Sequence, residues 1–70
     1  MYRVKLTDMK AGSLVEVETW DKGAVAGRVD EVETDVKNGH PGISYTIVTG
    51  KHKDDTKWCY LDQVQKVFKF

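Results

Sequence analysis

The segment 58–67, WCYLDQVQKV, constrains the fold of this chain more than any other stretch. Aromatic residues open the segment, a polar pair at 62–63 interrupts it, and apolar residues then return. The interruption is too short for an α-helix, but it suits a single 3₁₀ turn. The segment therefore predicts a short strand, a one-turn corner and a closing strand. We expect its inward side chains to be Cys59, Leu61, Val64 and Val67.

The remaining segments alternate between strand patterns and turn signals. Apolar and polar residues alternate over 2–6, 14–20 and 43–49, while turn residues occupy 21–23 and 37–42 and a charged tip spans 50–57. The alternation over 24–36 changes phase at Asp30 and Glu31, which predicts a β-bulge. We expect Met9 to plug the core beneath the first loop. No segment carries a helical period, so the chain is predicted to be all-β.

The length of the chain, 70 residues, limits it to a single domain over residues 1–70. Such a core supplies on the order of 3–5 kcal/mol, so most large apolar residues are needed for structure. The single cysteine excludes an internal disulfide, on which small secreted domains usually rely. No apolar run approaches the roughly 20 residues that span a bilayer, and the first residues lack a signal-peptide pattern. We therefore expect a cytoplasmic protein without a membrane segment.

A set of skeleton positions carries a resemblance to a known group. The runs are Leu6-x-x-Met9-x-x-Gly12-Ser13-x-Val15-x-Val17, Gly27-Arg28-Val29, Tyr45-Thr46-Ile47-Val48 and Trp58-x-Tyr60-x-x-x-Val64-x-x-Val67. They resemble the SH3-like barrel group, which includes KOW and Tudor-type modules. The resemblance implies a small SH3-like barrel of five to six antiparallel strands with a short 3₁₀ turn before the last strand. The small size and the many charges also resemble accessory proteins of bacteriophages.

The residue types that serve catalysis or metal binding are present but badly spaced. His40, His52 and Cys59 are scattered over two loops and a strand, whereas zinc sites rely on close ligand pairs. Cys59 lies between two aromatic residues, where an apolar setting raises a thiol pKa. The glycines occur singly and form no phosphate-binding loop. We expect no metal, no cofactor and no catalytic residue.

One enzyme group of similar fold offers a precedent for catalysis. The plasmid-encoded type II dihydrofolate reductases are SH3-like barrels whose tetrameric pore uses a Val-Gln-Ile-Tyr motif. This chain has Trp58-Cys59-Tyr60-Leu61 at the similar place, and the glutamine and isoleucine are missing. We therefore expect a non-enzymatic protein.

Exposed aromatic residues favour a binding module, and another protein is the first candidate partner. Trp20 shares a strand face with two glutamates, so Trp20, Trp58 and Tyr60 are candidate anchors of an interface. The alternative is that Trp20 caps an open end of the barrel. The candidate charged rim is formed by Asp30, Glu31, Glu33 and Asp35. The alternative for these acids is that they protect a strand edge from pairing.

Nucleic acid is the alternative partner. Lys51, Lys53 and Lys57 lie close in sequence to Tyr60, and basic residues beside aromatics are how single strands are bound. Asp54 and Asp55 offset part of this charge, and the net charge of the chain is zero. A homo-oligomer is a further hypothesis, formed through the terminal strands at 2–6 or 68–70, because terminal strands have free edges.

Overall fold

The computed structural model describes residues 4–21 and 23–68, and this part of the chain is all-β. The strands are β1 (Leu14–Thr19), β2 (Gly23–Lys37), β3 (His40–Ile47), β4 (Thr56–Tyr60) and β5 (Val64–Phe68). They form one five-stranded antiparallel sheet in the order β4-β3-β2-β1-β5. The described strands do not close the sheet, because β4 and β5 share no ladder. No helix among the described residues is long and apolar enough to cross a membrane.

The core lies on the inner face of the sheet and follows from the period-two patterns of the strands. β1 contributes Val15 and Val17, and Val29 of β2 packs beside them. The middle strand β3 supplies three buried side chains at every second position: Ile43, Tyr45 and Ile47. Met9 is buried as well, so the expected core plug is confirmed. The polar faces of β1 and β2 therefore point outward, as the alternation predicts.

The phase change in β2 is a β-bulge, as the sequence predicts. Val29 pairs with Tyr45, but Glu31 pairs with Ser44, so Asp30 is the extra residue. The bulge keeps Val29 and Val32 on the same side although three positions separate them, since each lies opposite a buried residue of β3. One long strand can therefore bend and contribute to two parts of the core.

The β2–β3 hairpin is tighter than the sequence reading indicates. Asn38 and Gly39 both have positive φ, +54° and +78°, as a two-residue turn that follows the strand twist requires. β2 continues to Lys37 and β3 begins at His40. The expectation of a turn over 37–42 is therefore wrong at both ends, because Lys37 lies within β2 and residues 40–42 lie within β3.

The expected first strand over 2–6 is also wrong where it can be checked. Leu6–Asp8 forms a 3₁₀ turn, and the Asp8 carboxylate accepts a hydrogen bond from the Lys5 backbone N–H at 3.0 Å. Val4 and Met9, on either side of the turn, are buried without strand pairing. Tyr2 and Arg3 lie outside the described residues, as do positions 69 and 70. Residues 4–6 therefore offer no strand edge, and a homo-oligomer through the terminal segments stays a prediction.

The segment that opens the sequence argument has the predicted structure. β4 is followed by a 3₁₀ turn at Leu61–Gln63 and then by β5. Gln63 fastens this corner, because its Oε1 accepts from the Tyr60 N–H at 3.0 Å and its Nε2 donates to the Glu18 carbonyl at 3.2 Å. The predicted inward residues are confirmed: Cys59 and Val64 are buried, and Leu61 and Val67 pack against the core.

Candidate protein-binding groove

The two tryptophans of the chain line one groove. Trp20 follows β1 in the turn to β2 and is 90% exposed, and Trp58 in the middle of β4 is 47% exposed. An indole this exposed does not cap an open end of the sheet, so Trp20 is a surface side chain. The groove has a volume of about 310 Å³. We call it the tryptophan groove, and its lining residues are Thr19, Trp20, Asp21, Tyr45, Ile47, Lys57, Trp58 and Gln63.

The floor of the tryptophan groove is apolar and its rim is charged. Tyr45 and Ile47 of β3 are 2% and 1% exposed and belong to the core. Burial raises the pKa of the Tyr45 hydroxyl to about 12, with smaller contributions from the nearby Cys59 and Asp21. The phenol therefore stays protonated at neutral pH. Asp21 from the β1–β2 turn and Lys57 from β4 place one acid and one base on the rim.

The Trp20 indole is open on more than one side. A second, shallower cavity of about 260 Å³ lies against Trp20, Glu18 and Gln65. Trp20 therefore lines two neighbouring cavities and does not cover either of them. A partner can therefore reach the Trp20 side chain from either cavity.

Tyr60, the third predicted anchor, lines a different cavity. Asn38, His40, Pro41, Tyr60, Leu61 and Asp62 surround a hollow of about 310 Å³ at the end of β4. The Tyr60 ring contacts Trp58 edge to face at a centroid distance of 5.2 Å, and His40 packs on Tyr60 at 5.7 Å in the same manner. The structure therefore brings Tyr60 to Trp58 but not into the tryptophan groove.

Lys37 is a neighbour of this cluster that the sequence analysis missed. Its Nζ lies 5.6 Å from the centroid of the Trp58 ring, within the range of a cation–π contact. Residues 37 and 58 are far apart in the sequence. Only the register of the three strands β2, β3 and β4 brings them together, so no local signal could have indicated the contact.

The predicted acidic rim is largely occupied by bonds within the sheet. Asp30 accepts from the Thr46 hydroxyl at 2.7 Å, Glu33 from the Ser44 hydroxyl at 3.0 Å, and Asp35 from the Gly39 N–H at 2.8 Å. Glu31 is exposed and lies in one cross-strand row with Ser44 and Trp58. Of the four acids, Glu31 is therefore the one whose carboxylate accepts no hydrogen bond from another described residue.

The basic residues of the alternative site are spread over the β3–β4 hairpin and β4. Lys51 and Lys53 are exposed in the hairpin between β3 and β4, where His52 pairs with Asp55 at 3.5 Å. Lys57 lines the tryptophan groove, whereas Tyr60 lies at the opposite end of β4. At about 3.3 Å per residue, roughly 13 Å of strand separates the Cα atoms of Thr56 and Tyr60. The structure does not gather the tip lysines and Tyr60 into one surface.

The single cysteine of the chain is not placed to act as a nucleophile. Cys59 is buried, and burial raises its pKa to about 12, so the thiolate that a nucleophile needs does not form at neutral pH. Within the described residues, no group of three or more His, Cys, Asp and Glu side chains is arranged to hold a metal ion.

Comparison with known proteins gives no relative from which a site could be transferred. The chain matches no protein-family model, no curated protein and no solved structure. The function must therefore be argued from the groove and its own residues.

Proposed function

We propose that this chain is a non-enzymatic, SH3-like binding module that binds another protein through the tryptophan groove. The 3₁₀ turn between β4 and β5 supports the SH3-like assignment, because it fastens the last strand to β1 through Gln63. The single buried thiol fits a reducing compartment, so we place the protein in the cytoplasm.

The observation that carries this proposal is the exposure of Trp20 and Trp58 on one concave surface. Every other large apolar side chain among the described residues is at least partly buried. A chain this small has little apolar area to spare, and leaving two indoles in water forgoes stability. Tryptophan is also the residue most enriched among the anchors that dominate interface energies. A partner segment that covers both indoles would recover that area.

The charged residues near the groove are placed as the polar rim of a protein interface would be. Glu31 on the outer face and Lys57 on the groove wall are exposed, and both can pair with a partner without losing a bond within the domain. Rim charges of this kind set the association rate and the choice of partner more than the affinity. Asp30, Glu33 and Asp35 contribute to the rim through the local field, because their oxygens already accept hydrogen bonds.

Site-specific photo-crosslinking tests this proposal. A benzoylphenylalanine at position 20 should capture a partner from a cytoplasmic extract, while the same group at the exposed Thr34 of β2, outside the groove, should not. Excess unlabelled protein should suppress the adduct, and excess Trp20→Ala protein should not. Equal capture at both positions, or no specific adduct at either, would contradict the proposal.

The alternative function, nucleic-acid binding, makes a different prediction. It requires Lys51, Lys53, Lys57 and Tyr60 to contact one strand, although Lys57 and Tyr60 line different cavities. Titration with labelled single-stranded DNA and RNA at low salt should show no binding at tens of micromolar protein. Salt-sensitive binding that a Lys51→Glu/Lys53→Glu variant abolishes would favour the alternative.

A further inference from the structure

The hydrogen bonds at the two ends of β4 fix which of its backbone groups face the open edge. At one end, the Ile47 N–H donates to the Asp55 carbonyl at 2.9 Å. At the other end, the Tyr60 N–H points away from β3 and donates to Gln63 Oε1 at 3.0 Å. Alternate residues of an antiparallel strand direct both backbone groups to the same side. Residues 57 and 59 therefore bond to β3, and residues 56, 58 and 60 face outward.

The outward groups of β4 form a short unpaired template. The backbone N–H and C=O of Thr56 and Trp58 make no hydrogen bond to any described residue. Such a row can pair with the backbone of another extended chain. The template ends at Tyr60, because Gln63 occupies that N–H.

The tryptophan groove lies along this same edge. Its walls are β4 on one side and the β1–β2 turn with Trp20 on the other, and its floor is Tyr45 and Ile47. A strand paired with β4 would send alternate side chains to opposite faces of the sheet. One side chain would enter the groove, and the next would lie on the outer face beside Trp58 and Lys37.

Building on the function proposed above, we propose that the partner docks as an extended peptide strand along the edge of β4. Backbone hydrogen bonds to Thr56 and Trp58 align the peptide. A bulky apolar side chain fills the groove beside Trp20, and an acidic side chain next to it in the peptide pairs with Lys37. Main-chain bonds give such a complex its affinity, and the groove gives it its specificity.

A second copy of this chain fits the edge less well than a peptide. Two β4 strands paired about Trp58 would place Thr56 opposite Tyr60 of the second copy, whose N–H is already bonded to its own Gln63. The same pairing would bring both Trp58 rings together, each with a Lys37 ammonium over it. The two Lys37 ammonium groups would repel each other, whereas an acidic peptide is attracted to Lys37.

Selection from a displayed library of random heptapeptides, followed by variants of the edge, tests this inference. Enriched peptides should combine an apolar residue with a neighbouring acid, and they should protect the Thr56 and Trp58 amides from hydrogen exchange. Thr56→Pro removes the edge N–H, and Thr56→Ala retains it. We expect about tenfold or greater loss of affinity for Thr56→Pro and little change for Thr56→Ala.

N-methylation of the selected peptide decides the question if Thr56→Pro fails to fold. Methyl groups at the backbone positions that face β4 should abolish binding, and methyl groups at the alternate positions should be tolerated. Peptides that depend on Trp20 but leave both amides unprotected would overturn the strand inference while the proposed function stands. No enrichment, together with no adduct at position 20, would overturn both. A dimer through β4 in sedimentation would also overturn the inference.

Discussion

Trp20→Ala should remove a large side chain at almost no cost to stability. Trp20 keeps 90% of its surface in water. An indole buries at most about 250 Å², so the tenth that is covered amounts to about 25 Å², which at about 25 cal/mol per Å² is worth about 0.6 kcal/mol. We therefore expect the free energy of unfolding to fall by less than about 1 kcal/mol.

A core variant from the floor of the same groove provides the matched control. Ile47 is 1% exposed, and Ile47→Val, which deletes one methylene group, should cost about 0.5–1.5 kcal/mol. Deleting the whole indole at position 20 should thus cost no more than deleting one carbon at position 47. Urea unfolding followed by circular dichroism measures both values. A loss of 2 kcal/mol or more for Trp20→Ala would show that the side chain supports the fold and would refute its assignment as a binding anchor.

Three further changes test the fold around the groove. Gly42→Ala should lower the free energy of unfolding by about 1–3 kcal/mol, because the added methyl would overlap the Cys59 carbonyl oxygen and Val36, and urea midpoints measure the loss. Unchanged stability would contradict the close approach of β3 and β4. Stability should hold up to about pH 9 and fall above it, because burial raises the pKa of Cys59 from 9.0 to about 12 and the unfolded thiol ionises first. Urea midpoints across that range should fall less steeply for Cys59→Ala, and an identical slope would exclude the thiol as the cause. Asn38→Ala should cost about 1 kcal/mol, because φ is positive at that turn position, whereas Asn38→Gly should be neutral in thermal unfolding. Equal melting temperatures for these two variants would argue against the turn geometry.

Local chemistry determined the parts of the fold that the sequence predicted correctly. The bulge at Asp30 follows from a change of phase that only an extra residue can accommodate. The 3₁₀ corner at Leu61–Gln63 follows from an interruption too short for any other element. In both cases a few adjacent residues are compatible with only one local backbone structure.

A local turn overrode the alternating pattern where the prediction failed. Val4 and Leu6 alternate with polar residues as a strand does, yet the Asp8 carboxylate bonds the Lys5 N–H and turns the chain. Val4 becomes buried without a ladder partner. An alternating pattern records which side chains are covered, and it does not record whether a neighbouring strand covers them.

The candidate binding site also combines features that the local sequence indicates with features that it cannot indicate. The sequence allowed two interpretations of Trp20. A strand face shared with glutamates indicates an exposed side chain, but a side chain at the end of a hairpin can also cover an open end of the barrel. The contact of Lys37 with Trp58, and the bonds that occupy Asp30 and Glu33, depend on cross-strand register. Register is set by the turn at Asn38-Gly39 and by the bulge together, so it could be derived only after both were placed.

The indole N–H resonances give the most direct test of the central claim, that one groove between Trp20 and Trp58 binds a protein segment. The sequence contains two tryptophans, so a ¹⁵N-labelled sample shows one indole signal for each. Titration with a peptide enriched in the display selection should shift both indole signals with a single dissociation constant, and the signals of Lys51 and Lys53 should stay in place. Saturable binding that leaves both indole signals unmoved would contradict the account.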